Sequence, residues 1–512
     1  MTAWRTVFMR CTAIRRLAAL ILITPLPTGA GACVSQTSTT VAIQPPDHKA
    51  GDLIIEPFVF VARNGEEVPA ERGWLYVPLR HDQPHSEIIR LRFIRFKCFR
   101  DNPGPPIVFL TGGPGGAAAE HAAGGWYEDM FEGWREIGDV ICCDQRGTGS
   151  SEPRAPRFDK SWGLPFPEPV DWDTAEDLVR QRCREAAAFY ESQGIDLNVF
   201  NTADSADDLE MLRVALGEDE LRLWGISYGT HYALAMIKRH ETSVASAVLC
   251  GVEGPDSTLK SPRVAQSVLE EVARQCAADP EMSKWVPNLL ALIDHVTERV
   301  RRGEIKLTAM RADVKVEFTL TLFDLEMATT SLLRSRSSMS QLPLMFYELA
   351  QGQVVRSADR LTVWRRDDWY FGKAMLWATD AASGASAARL AQIDAESAQT
   401  SLGRALNFPT LAVMQSLGVR DLGDAFRAPI HSDVPVLFVS GTLDPRTPLV
   451  EARALLAGFP NGQHLIIENA GHSDDDLVLS SPLIKQTILA FFKGEPLPTT
   501  RVVLPPLEFL TP

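Results

Sequence analysis

The sequence has no second long apolar run, no basic excess, no metal-ligand cluster and no internal repeat. Each absence removes a class of function. Beyond Leu17 to Leu26 no stretch is apolar enough to cross a bilayer, and that run is itself too short for a spanning helix. Lysine and arginine number 51 against 65 aspartate and glutamate, a net charge of −14. Binding nucleic acid needs a basic surface that neutralises phosphates, so that partner is excluded. The 8 cysteines and 10 histidines never fall at zinc-site spacing. Without a periodic repeat, solenoids and propellers are excluded as well.

What is present starts with an export signal over residues 1–32. Arg5, Arg10, Arg15 and Arg16 precede the apolar run, and Gly29-Ala30-Gly31-Ala32 follow it. A start at Met9 would give a leader of more usual length. Cys33 directly follows the small residues, as in a bacterial lipobox, although Ala30 stands where leucine is usual. Ala-x-Ala suits ordinary signal peptidase equally, so a lipid anchor at Cys33 and plain secretion both stay open, with a periplasmic or secreted location. Residues 33–50, polar with Pro45-Pro46, read as a flexible tether. In an oxidising compartment Cys183 and Cys276, on helices outside the sheet, are the disulfide candidates. Cys142, Cys143 and Cys250 sit in apolar strands and read as packing residues.

From Leu53 to Cys98 apolar and polar residues alternate, as in antiparallel strands with turns at Asn64-Gly65 and near Pro84. The texture then changes. Ile107 to Leu110 and Val140 to Cys143 are short continuous apolar strands of the buried parallel kind. Helices follow over about 174–193 and 204–216, the second closed by Gly217. Strands at 221–226 and 244–252 flank another helix that ends near His240. Alternating strand and helix predicts an α/β fold with a mostly parallel sheet covered on both faces. The rhythm stops over 257–430, a largely helical insertion with one hairpin (Ile305–Thr308 and Val314–Leu322). That segment includes Trp285, Trp364, Trp369 and Trp377, which read as core. The rhythm resumes with Val434–Val439, a helix at Leu449–Leu456, His464–Ile467 and a helix at Pro482–Lys493. The core is thus 51–256 and 431–512, with 257–430 as a cap.

The chemistry centres on Gly225-Ile226-Ser227-Tyr228-Gly229, between an apolar strand and a helix. This is the spacing of a nucleophile elbow, where a sharp turn projects the serine and glycines let neighbouring segments approach. A serine hydroxyl needs a base, and the base needs a carboxylate to hold its tautomer. Asp444 follows strand 434–439 and His472 follows strand 464–467, both at the sheet edge that carries Ser227. The order Ser227, Asp444, His472 is the one this architecture uses. Two amides must face the oxyanion: that of Tyr228, and that of Gly113 in the loop after strand 107–110. Pro114 has no N–H to give. No metal or organic cofactor is called for.

These residues resemble the α/β-hydrolase family of proline iminopeptidases and tripeptidyl aminopeptidases. The likeness rests on Gly112-Gly113-Pro114-Gly115-Gly116, on Asp144-Gln145-Arg146-Gly147-Thr148-Gly149 and on the elbow. Asn201 to Asp204 with Asp207-Asp208-Leu209, Ser440 to Pro445 and Gly471-His472 add to it. The resemblance implies hydrolysis from a free N-terminus, with the insertion as a cap limiting substrate length. It departs at Thr111, where the family has histidine, and at Met282, where members often carry a second cysteine after Cys276. An aminopeptidase needs an anion for the substrate ammonium. Glu253 and Glu120, on loops leaving the catalytic edge, are the candidates, with solvated surface carboxylates as the alternative. The Asp144–Arg146 turn reads as a structural ion pair. Rival functions are an esterase or amidase using the same triad, and a catalytically silent binding protein.

Overall fold

Three alternating strands, β1 (Leu53–Val61), β2 (Glu67–Pro78) and β3 (Ile88–Phe96), pair antiparallel in sequence order. Strands β4 (Gly104–Leu110), β5 (Gly138–Cys143), β6 (Leu221–Ile226), β7 (Val244–Cys250), β8 (Val436–Gly441), β9 (Gly462–Glu468) and β10 (Arg501–Val503) complete a sheet of ten. Its order is β1-β2-β3-β5-β4-β6-β7-β8-β9-β10. β3 meets β5 antiparallel, and every pairing from β5 to β10 is parallel. This computed structural model describes residues 48–311, 314–352, 358–366 and 370–512. The leader 1–32, Cys33, most of the tether and Trp369 lie outside the described residues. Residues 48–512 form one compact unit. Among them no helix is long and apolar enough to cross a membrane.

The apolar strands are buried on both faces, and their alternation sorts side chains between two cores. Ile107, Phe109, Cys142, Trp224 and Ile226 point to one; Val108, Leu110, Ile141, Leu221 and Leu223 point to the other. Trp224 is fully buried, 4.8 Å from the Phe109 ring and 4.3 Å from that of Trp134. The helices α1 (Trp172–Ser192), α2 (Thr202–Leu216) and α3 (Tyr228–Arg239) follow the sequence expectation closely. α1 starts where Asp171 accepts from the Thr174 amide, and α2 ends on Gly217 in the left-handed conformation.

Between β7 and β8 the chain is mostly helical, including α4 (Pro262–Ala278), α5 (Leu322–Leu332) and α6 (Ala374–Ser383). The expected hairpin forms, pairing Lys306–Arg311 with Val314–Thr319. This helical layer also draws on residues before the elbow. Phe158, Trp162, Trp172 and Tyr190 share an apolar cluster with Phe323, Met327, Phe371 and Phe408. Trp364 and Trp377 pack against that cluster, whereas Trp285 is 47% exposed and rests edge-on against Tyr347.

Two sequence readings need correction, and one strand went unread. Cys183 and Cys276 are not joined: each is a free, buried thiol in a different apolar cluster. Cys276 shares its cluster with buried Met282, and its thiol lies 3.6 Å from Val286 O. Asp144 and Arg146 do not pair with each other either. Arg146 is fully buried and donates twice to Asp208, at 2.8 and 2.7 Å, while Asp144 accepts the amides of Ala119 and Ser150. Strand β10 had no sequence signal, because three residues carry no readable period. It forms by adding to β9.

Removing Arg146 leaves the buried Asp208 carboxylate with His81, 2.8 Å from its Oδ1, as its remaining side-chain partner. Arg146→Gln should cost about 3–5 kcal/mol of stability, read as a lower urea midpoint. An unchanged midpoint would mean that the pair does not brace the loop.

Candidate active site

Ser227 ends β6 and starts α3 with φ 54° and ψ −125°, a conformation that a residue with a side chain adopts only under strain. Close backbone packing enforces it. A Cβ on Gly225 would run into the Gly229 carbonyl, and one on Gly229 into that of Leu110. The Ser227 amide donates to Cys250 O at 2.9 Å, and the Thr230 amide and hydroxyl return to Ser227 O at 2.8 and 2.7 Å. The turn is thus tied to β7 on one side and to its own helix on the other.

The structure brings Ser227, His472 and Asp444 together. Ser227 Oγ and His472 Nε2 are hydrogen-bonded at 2.9 Å, and His472 Nδ1 lies 2.9 Å from Asp444 Oδ2. An ionised carboxylate only accepts, so Nδ1 carries the proton and Nε2 is left to accept from the serine. Burial raises the Asp444 pKa, but the His472 charge and the bonds from His472 and Thr447 outweigh it and hold the group at about 2. The amides of Arg446 and Thr447 donate to its other oxygen at 2.8 and 2.9 Å. The Thr447 hydroxyl donates to Oδ2 at 2.5 Å. Sequence reasoning missed Thr447, whose one signal is a hydroxyl three residues after the acid. The His472 amide donates to Arg334 O at 2.6 Å, a contact no local pattern announces.

The loop after β4 lies against the serine. A Cβ on Gly112 would sit 3.1 Å from that of Ser227. The Gly113 amide finds no acceptor among the described residues, and the Tyr228 amide is the first of a helix and equally free of one. Where the family has histidine, the Thr111 hydroxyl donates to Gly116 O at 3.0 Å, and Lys373 Nζ donates to Gly115 O at 2.9 Å. The Tyr228 hydroxyl meets Thr202 Oγ1 at 3.0 Å and accepts from Gln145 at 3.3 Å, tying the elbow to α2 and to the loop after β5.

Glu253 is not a free anion. It is 7% exposed, and its carboxylate accepts from Lys260 Nζ at 2.8 Å, itself 4% exposed. Lysine already occupies the place expected for a substrate ammonium. Glu120 is exposed, on the short helix after the Gly113 loop. The acid that sequence reasoning missed is Asp380, on α6. One turn before it, Leu376 packs on Gly115; one turn after it, Ser383 Oγ bonds His231 Nε2 at 3.1 Å. Asp380 therefore lies on the helix face turned to the catalytic edge, and no side chain pairs with it among the described residues. Burial, then the Glu253 charge, push it up to about 8, against the pull of Lys260 and Arg446. A lone acid inside an insertion gives no sequence signal. Among the described residues no group of three or more His, Cys, Asp or Glu is placed to hold a metal.

Residues 105–474 match the family described as alpha/beta hydrolase fold. The chain is similar to serine protease Hip1 of Mycobacterium tuberculosis, 28% identical over 263 residues, 45% of this chain and 48% of that protein. It is similar to tripeptidyl aminopeptidase of Streptomyces lividans, 29% identical over 172 residues, 32% of each chain. A probable proline iminopeptidase of Streptomyces coelicolor is 31% identical over 157 residues, 30% of this chain and 34% of that one. The chain thus spans about half or less of the length of the curated relatives it matches. Among solved structures, an esterase from Thermogutta terrifontis aligns at a TM-score of 0.35 and 17% identity, covering 82% of this chain and 98% of its own.

Asp380 should cost stability at neutral pH. Its folded pKa of about 8 lies above the ordinary 3.8, so its contribution is full below about pH 4 and is lost as pH rises through about 8. Asp380→Asn should therefore raise Tm relative to the parent, with a gap that widens from pH 4 to 8. A constant gap would place the carboxyl in water.

Proposed function

Because the chain belongs to the α/β-hydrolase family, we propose that it is a serine hydrolase of the aminopeptidase kind, releasing N-terminal residues or short peptides through an acyl-enzyme. The observation that carries this reading is the unbroken line Ser227–His472–Asp444, with both links at 2.9 Å. Ser227 Oγ attacks the scissile carbonyl as His472 Nε2 takes its proton. The oxyanion forms toward the Gly113 and Tyr228 amides, which have no protein acceptor to give up. The tetrahedral intermediate collapses, and His472 returns the proton to the leaving amine. Water, deprotonated by His472, then frees Ser227 and the acyl product. Asp444 stays ionised throughout and stabilises the imidazolium.

The amine anchor in this reading is Asp380. An incoming ammonium supplies the charge that ionises the acid, whereas Glu253 is spent on Lys260. The inserted segment 257–430 acts as the cap, with α6 against the Gly113 loop. Export, with or without a lipid anchor at Cys33, belongs to the same proposal and rests on residues 1–33.

The test compares free-amine and N-acetylated arylamides and plain esters on purified protein. Ser227→Ala should abolish fluorophosphonate labelling and turnover, and Asp444→Asn should lower kcat about 10⁴-fold through the wrong histidine tautomer. Asp380→Asn should weaken free-amine substrates by about 30- to 1000-fold, the equivalent of ~2–4 kcal/mol, and blocked ones far less. Equal turnover of blocked and free substrates would make the protein an esterase or amidase. Failure of Ser227 to label in folded protein would make it a silent scaffold.

A further inference from the structure

Most buried arginines in this protein have a carboxylate. Arg146 has Asp208, Arg365 has Asp324, Arg389 has Glu451 and Arg427 has Asp421. Arg446 is the exception at the catalytic edge. It is half-buried, two residues after Asp444, and its guanidinium makes no hydrogen bond or ion pair among the described residues. The acids around it are committed elsewhere. Glu253 holds Lys260, Asp444 holds His472 and Thr447, and Asp380, pushed up to about 8 by burial, makes no hydrogen bond to Arg446.

A second arginine branches from the backbone that holds His472. Arg334 follows α5, its side chain is exposed, and it too has no ion pair among the described residues. Burial lowers the Arg446 pKa first; Glu253 opposes this and Arg334 adds to it, so the two guanidinium groups repel. Both branch from residues whose backbones hold the triad: Arg446 N donates to Asp444, and Arg334 O accepts from His472 N. Arg446 is half-buried with no anion hydrogen-bonded to it among the described residues, and a planar carboxylate matches its forked donors and those of Arg334.

We propose that Arg446 and Arg334 form a subsite for a substrate carboxylate beside Ser227, so that the preferred substrate is an acidic or free-acid peptide. The proposal rests on the serine-hydrolase reading and deepens it. A peptide can bring that carboxylate from an acidic side chain on its acyl part or from the C-terminus of its leaving part.

Two matched pairs separate these sources: a glutamyl against a glutaminyl arylamide, and a neutral tripeptide with a free against an amidated C-terminus. In the parent protein one pair should favour the acid at least tenfold in kcat/KM. Arg446→Gln should bring that ratio close to one, and Arg446→Lys should restore part of it, because an ammonium keeps the charge and loses the fork. If Arg446→Gln does not fold, Arg334→Gln reads the same ratio from the exposed partner and should reduce it severalfold. If Ser227 labels with fluorophosphonate but no peptide or arylamide turns over, the aminopeptidase reading fails. The same compounds then serve as protectors against labelling, and their acid-to-amide ratio still decides the subsite. Absence of acid preference in both pairs, or a preference that survives Arg446→Gln, overturns the proposal.

Discussion

The site depends on how closely two backbones approach at the elbow. Gly229 lies against the carbonyls of Leu110 and Thr111, and Gly225 against that of Gly229. A side chain at Gly229 would push α3 off the end of β4, and one at Gly225 would push β6 off the first turn of α3. That contact sets the place of the loop after β4, and with it the Gly112–Ser227 approach and the free Gly113 amide. The parallel register Phe109↔Trp224 and Leu110↔Gly225 carries the same constraint into the sheet. The stacked Phe109 and Trp224 rings below keep the strands from sliding. Strain at Ser227 is tolerated because packing on both sides leaves the backbone no alternative.

Around this frame the protein treats two aspartates, the buried Asp444 and the half-buried Asp380, in opposite ways. Asp444 receives two backbone amides, a hydroxyl and an imidazole, and stays ionised with a pKa of about 2. Asp380 receives no hydrogen bond among the described residues, and burial with the Glu253 charge pushes it up to about 8. Desolvation is the largest influence on both, and the hydrogen-bond partners decide the sign. One carboxyl is built to hold a charge permanently. The other is held toward its neutral form by the lack of such partners.

The helical layer shapes the site from several directions. The Arg334 carbonyl holds the His472 amide, Arg336 donates to Asn469 O at 2.7 Å, and Lys373 holds the Gly115 carbonyl. Residues far apart in sequence therefore set the position of the histidine and of the loop beside the serine. A shift of that layer would reach both at once.

The sheet strands, the elbow and the helices beside it were legible because each rests on local pattern. Ile107–Leu110 is apolar throughout, Gly217 stops α2, and Gly-x-Ser-x-Gly needs only five neighbouring residues. The grouping of Ser227, Asp444 and His472 was legible too, since each follows a strand whose direction places its end at one edge. What local pattern cannot encode is which charged side chains meet. The sequence presented Glu253 as a free acid, and only packing put Lys260 on it. It suggested a bridge between Cys183 and Cys276, and only packing assigned them to separate cores. Asp380, Arg334 and Arg446 carried no signal at all, because their meaning lies in partners they lack. A missing partner is a property of the folded neighbourhood: burial and long-range contact decide it, and no short stretch of chain contains either.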